Sequence, residues 1–191
     1  PIDNNRCLKV VHKSLQEDAK KNAAWYKKFK PKSYFDDNLR EERAYQQNAL
    51  NVSHESSVWN HLAKWYGMIE TNLGPASETE LIRNNDEIAE TLESYLFREG
   101  LTDEINEAIK LFEAWLRKHL VLTKNLIPHN IVLQKNHGII ILKFIDGLGC
   151  KALVHLPKYS KYFARIYVER RIQLMWSRIN WDLSGRKGNL K

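Results

Sequence analysis

Cysteine is almost missing from this chain. Cys7 and Cys150 are the only two in 191 residues, and no C-x-x-C spacing occurs. That excludes a disulfide scaffold and a zinc ribbon, and it fits a reducing cytoplasm. Long apolar runs are missing too. The longest, Gly138 to Leu142, stops at Lys143 and is far too short to cross a bilayer. The opening stretch PIDNNRCLKV has neither an apolar core nor a cleavage site, so it does not read as a secretion signal. It lacks an initiating Met, which points to a fragment of a longer protein. No G-x-S-x-G elbow is present, so a serine-hydrolase reading has no support. His54 and His61 are seven apart, but no acid or cysteine completes a metal set with them.

What is present is an ordinary globular composition with a basic bias. Hydrophobic residues make up 43% and charged residues 28%, enough for one domain with a core or for two small lobes. The net charge of +7 and pI near 9.3 favour an anionic partner such as a nucleotide, a nucleic acid or a membrane surface. A soluble basic protein with no such partner has the same charge.

The periodicity predicts an α+β order. RCLKVVH (6–12) reads as a strand, and the lysine-rich segment 17–32 as a loop or frayed helix. Asp36-Asp37 starts a helix that should run to about Leu50. YGMIET (66–71) and ETELI (78–82) read as strands around a turn at Gly74-Pro75. RNNDE (83–87) is a polar break and a lobe boundary, giving a partial N-lobe over 1–84 and a helical C-lobe over 85–191. A short helix follows over 91–97. Thr102 then caps a long one, whose buried face is Ile105, Ala108, Ile109, Phe112, Trp115, Leu116 and His119. Two strands, 131–133 and 139–145, turn at Lys135 to Gly138. A last helix starts at Pro157 and carries Arg165, Arg170, Arg171 and Arg178.

The stretch LTKNLIPHNIVL (122–133) is close to the catalytic loop of a protein kinase. Phosphoryl transfer of that type needs a strand lysine on the phosphates, a helix glutamate to hold it, Asn and Asp ligands for magnesium, and a catalytic Asp. Lys9 lies in a strand. Glu42, with Glu41 as its neighbouring option, lies on the next helix. Asn130 precedes a hairpin that Asp146 closes, so both oxygen donors should reach one edge, as Mg²⁺ requires. Each residue type alone is common, and the bland readings are a solvated strand lysine and a turn aspartate. Their joint order is the signal.

The chain resembles the YrbL-like family of PhoP regulatory network proteins, a bacterial group similar to the protein-kinase-like fold. The likeness runs through RCLKVVH, LREERAY, YGMIETNLG, TKNLIPHNIVL, IDGLG and RRIQLMWSRI. It implies a bilobal kinase-like fold, ATP and Mg²⁺ as cofactors, and Lys9, Glu42, Asn130 and Asp146 at the nucleotide positions, with Asn130 and Asp146 on the metal. It also implies a protein partner within a regulatory network.

Two departures follow. The catalytic-base position holds Asn125, whose amide cannot take up a proton at neutral pH. General-base help is worth about 10²–10⁴-fold, so its loss slows transfer without necessarily abolishing it. His129 titrates in a suitable range but reads as an exposed loop residue. The loop lysine expected two places after the base is replaced by Ile127. The other departure is the glycine-rich phosphate cover: none of the eight residues before Lys9 is glycine, and two strands with their turn do not fit there. The expectation is therefore an N-terminally truncated kinase-like fold, acting as a nucleotide-binding pseudokinase or a weak ATP-dependent phosphotransferase. The alternative is a basic scaffold that binds an acidic protein or nucleic acid without nucleotide chemistry.

Overall fold

The structure is a computed structural model that describes residues 5–10, 37–151 and 156–187. The segment 17–32 and the end of the first strand expectation, residues 11 and 12, lie outside the described residues.

Strands β1 (Arg6–Val10), β2 (Trp65–Thr71) and β3 (Gly74–Glu80) form an antiparallel sheet with β3 in the middle. Lys9 pairs with Ser77 across the β1–β3 register. The β2–β3 turn is Asn72-Leu73 rather than Gly74-Pro75, because Thr71 pairs directly with Gly74. Pro75 lies in the central strand opposite Glu70 of β2, and the described β1–β3 pairing reaches Ala76.

Helix α1 (Asp37–Tyr45) is rich in helix-forming Arg, Glu and Ala. It ends five residues short of the expected Leu50, and a 3₁₀ turn covers Asn48–Leu50. Tyr45 anchors the helix to the sheet by stacking on Trp65, with centroids 5.0 Å apart. Gln47 then ties the helix end to the central loop. Its Oε1 accepts from Leu122 N at 2.7 Å, and its Nε2 donates to Ala44 O at 2.8 Å.

The polar break at 83–87 is a small ribbon, β4 (Arg83–Asn84) with β5 (Glu87–Ile88). The Asn84 side chain laces it to the later hairpin, donating to Leu133 O at 2.8 Å and accepting from Lys135 N at 2.7 Å. Helix α2 (Leu92–Glu99) starts one residue later than expected, and α3 (Asp103–His119) follows its expected cap. Thr91 and Thr102 accept from Ser94 N and Ile105 N. Strands β6 (Ile131–Asn136) and β7 (Ile139–Phe144) pair in register, turned by His137-Gly138 at φ 47° and 80°. Two successive left-handed residues are what a two-residue hairpin needs.

Helix α4 (Lys161–Leu183) starts later than Pro157, which lies in a 3₁₀ turn. Its buried face is Ala164, Tyr167, Val168, Ile172, Met175 and Ile179. Tyr162, Phe163 and Ile166 in its first turns are exposed. The first turns instead pack Ala164 and Tyr167 on Leu122. One large apolar cluster runs from Ala44 and Tyr45 through the α3 face to Met175 and Ile179, so the sheet side and the helical side share a core. Among the described residues no helix is long and apolar enough to cross a membrane.

His61 is set into this core, with its Nδ1–H donating to Leu142 O at 2.8 Å beside Phe112 and Trp115. Burial holds its pKa below the ordinary 6.5 despite the carbonyl bond. An imidazole held neutral in the folded state charges first in the unfolded chain. Its contribution is therefore whole above pH ~6.5 and is lost as pH falls below it. His119, lowered by burial and Lys118, acts in the same direction. The urea midpoint should fall between about pH 7 and pH 5, and His61→Gln should flatten that dependence.

Candidate functional site

The site forms where β1, α1 and the end of β7 meet. Lys9 Nζ lies 3.1 Å from Glu41 Oε2 and 3.0 Å from Asp146 Oδ1. The lysine is half-exposed, whereas Glu41 is 8% exposed overall. Burial alone would lower the lysine's pKa, but the two carboxylates overcome it and hold it raised. Burial pushes the Glu41 carboxyl up, and Lys9 only partly offsets this.

The helix carboxylate that meets Lys9 is Glu41, not Glu42. The sequence held a signal for this. Glu41, Ala44 and Tyr45 stand at i, i+3 and i+4, so they share the face that α1 buries. Glu42, one residue on, turns about 100° away from that face and is only partly buried.

The hairpin brings the other two residues together. Asn130 precedes β6 and Asp146 follows β7. Ile145 N donates to Asn130 O at 2.9 Å, so the two positions flank the first rung of the ladder. Asn130 is buried, and its Nδ2 donates to Asn125 O at 2.9 Å, which turns Oδ1 away from the loop. Asp146 Oδ1 also accepts from Gly147 N at 2.7 Å. Two oxygen donors on one edge suit Mg²⁺, which keeps waters and substrate phosphates for its remaining positions. Among the described residues no three His, Cys, Asp or Glu side chains could hold a metal ion. A metal caged by such side chains alone is therefore not the reading.

Asn125 sits at the base position. Lys124 N and Asn125 N both donate to Gly147 O, at 2.7 and 3.2 Å. This closeness requires a glycine. At Gly147 (φ +96°) a Cβ would lie 2.7 Å from Asn125 Cβ and 3.2 Å from Asn130 Nδ2. The side-chain oxygen of Asn125 accepts from Lys151 Nζ at 3.2 Å. Sequence reasoning missed Lys151, because nothing local marks a lysine 26 residues downstream as a neighbour of the loop. His129 is turned toward α2. Its Nδ1 lies 3.2 Å from Glu93 Oε2, in an ion-pair cluster with Arg178 and Arg186. Arg178, one of the four arginines noted on the last helix, is thereby engaged with Glu93 and Asp182.

The structure thus brings together a strand lysine, a helix carboxylate and an Asn–hairpin–Asp unit in an α+β protein. The chain belongs to the family described as PhoP regulatory network protein YrbL, whose profile matches residues 1–180. No curated protein matches its sequence significantly. Among solved structures it is similar to Rad53 in complex with AMP-PNP, at 15% identity and a TM-score of 0.45. It is also similar to the PknI kinase domain of Mycobacterium tuberculosis, at 12% identity and a TM-score of 0.48. These likenesses cover 80% and 93% of this chain, which spans 39% and 62% of those chains.

Proposed function

We propose that this chain binds Mg·ATP at the Lys9–Asp146 site, between residues 1–84 and 85–191. It would serve its regulatory network as a nucleotide-responsive pseudokinase or a slow phosphotransferase, with a protein as its partner. The single observation that carries the reading is the convergence of Glu41 and Asp146 on Lys9. A buried carboxylate on the helix and a half-exposed one after the hairpin both reach one ammonium, from sequence positions 105 apart. A structural ion pair needs only one partner. The second carboxylate, beside Asn130, is the group a magnesium ion would recruit.

In this reading Lys9 holds nucleotide phosphates, Glu41 orients Lys9, and Asn130 and Asp146 hold the metal. The ion would neutralise phosphate charge as it spreads over the transferring group. Asn125 accepts a hydrogen bond and orients a hydroxyl, but leaves the proton where it is.

The test is calorimetric titration of Mg·ATP into the chain, beside Lys9→Ala and Asp146→Ala. Binding to the parent and a loss of at least ~10-fold in each variant is the expected result, since a charge-assisted contact is worth roughly 1.5–3 kcal/mol. No binding by the folded parent would sink the nucleotide reading and leave a basic scaffold.

A further inference from the structure

The geometry points to a binding site for an amphiphilic organic anion in the cavity between the end of α1, the end of α3 and the start of α4. The ligand has an apolar body and an acidic group at one end. The site is separate from the one proposed for Mg·ATP, since Lys9, Glu41, Asn130 and Asp146 do not line this cavity.

The cavity has a volume of about 490 Å³, which is within the usual range for a small-molecule site. Its floor is apolar: Ala44, Leu122 and Ala164 line it and are buried. The floor is also fixed before any ligand arrives. Gln47, on the wall, spans from Ala44 O to Leu122 N, and so ties α1 to the central loop. A Cβ on Gly149 would lie 3.5 Å from Ala44 Cβ, in ordinary contact, so the two segments pack closely here.

The rim is cationic. Arg43 from the last turn of α1, Lys158 from the 3₁₀ turn and Lys161 from the first turn of α4 all line the cavity, and all three are exposed. Among the described residues none of the three has an ion pair or hydrogen bond, and no lining residue is acidic. Elsewhere the arginines are answered: Arg98, Arg117, Arg178 and Arg186 each meet a carboxylate at 2.7–3.3 Å. Lys161 stands where the helix dipole disfavours a cation, and the first turn of α4 holds no acid to offset it. A concave surface with one sign of charge and apolar walls concentrates its field on a ligand of opposite sign. A bare inorganic anion would leave the floor wet, and an uncharged apolar molecule would leave the rim unanswered. An amphiphilic anion satisfies both.

Naphthoate and decanoate are the probes, titrated calorimetrically into the full chain near neutral pH, with uncharged naphthamide as the control on charge. Naphthoate should bind at least ~10-fold tighter than naphthamide, the yield of one charged hydrogen bond. Lys161→Glu, and Arg43→Gln combined with Lys158→Gln, should each weaken carboxylate binding by at least ~10-fold. Lys161→Glu should melt no lower than the parent, because an acid in the first turn suits the helix dipole. Arg170→Gln, half a turn round α4 from Lys161, and Lys9→Ala should leave binding unchanged. Binding of either carboxylate in this pattern supports the site, and the tighter of the two identifies the apolar body as a chain or a ring. No binding of either one, equal binding of naphthamide, or binding that survives Lys161→Glu would overturn the proposal, as would loss in Lys9→Ala. A failed Mg·ATP titration would sink the nucleotide reading and leave this site standing.

Discussion

Asp182→Ala is expected to destabilise the protein by about 3 kcal/mol, toward the lower end of the range for breaking a buried ion pair. The Asp182 side chain is fully buried. Its Oδ2 accepts from Arg178 Nε at 3.2 Å and its Oδ1 from Arg186 Nε at 3.1 Å. Both arginines also reach Glu93 Oε1 on α2, at 3.3 and 2.7 Å. Their guanidinium groups lie over Trp181, at 4.6 and 5.4 Å. A carboxylate in the last turn of a helix is disfavoured by the helix dipole, so this one depends on its arginines. Removing it leaves two positive groups sharing Glu93. Partial exposure of the arginines, 22% and 43%, lets water relieve part of the loss and sets the lower figure. Glu93 also holds His129, the residue before Asn130, so the damage should reach the site. Urea unfolding measures the first effect and Mg·ATP titration the second. A loss under ~1 kcal/mol would mean that the cluster behaves as a surface pair.

Asn125→Asp is expected to raise ATP-dependent phosphoryl transfer by about 10²-fold, the lower end of what a positioned general base contributes. The lower end applies because Lys151 Nζ stands 3.2 Å from the oxygen that would become a carboxylate. A cation that close favours the charged form and makes the carboxylate a weaker base. It also makes the substitution tolerable, since the new charge meets a ready partner. ADP release would be followed with Mg·ATP for the parent, for Asn125→Asp, and for Asn125→Asp combined with Asp146→Ala. The gain should vanish in the double variant. If Mg·ATP binds and Asn125→Asp gives no gain, the slow-transferase reading fails and the pseudokinase reading stands.

Much of the arrangement was legible in one dimension. The α2 and α3 helices carry their signals in local sequence, so α2 covers Leu92–Glu99 against the expected 91–97 and Thr102 caps α3 as expected. The hairpin was legible because a short apolar run on each side of His137-Gly138 allows little else. From it came the nearness of Asn130 and Asp146. Other boundaries depended on partners far along the chain. Helix α1 stops at Tyr45, where Gln47 turns to hold Leu122, and the β2–β3 turn moved two residues once the register was set.

By itself the sequence determined that the chain is a basic α+β protein with a lysine strand, an acidic helix and an Asn–hairpin–Asp unit in kinase-like order. It also placed an amide, Asn125, five residues before Asn130, where the proposed reading would look for a base. These are properties of residue type, local periodicity and order. Only the tertiary structure decided that Glu41, rather than Glu42, faces Lys9, that His129 belongs to Glu93, and that Lys151 stands at Asn125. Each is a choice between neighbours or between distant segments. The free energy that settles it comes from packing and charge across the fold, which a single stretch of chain does not carry.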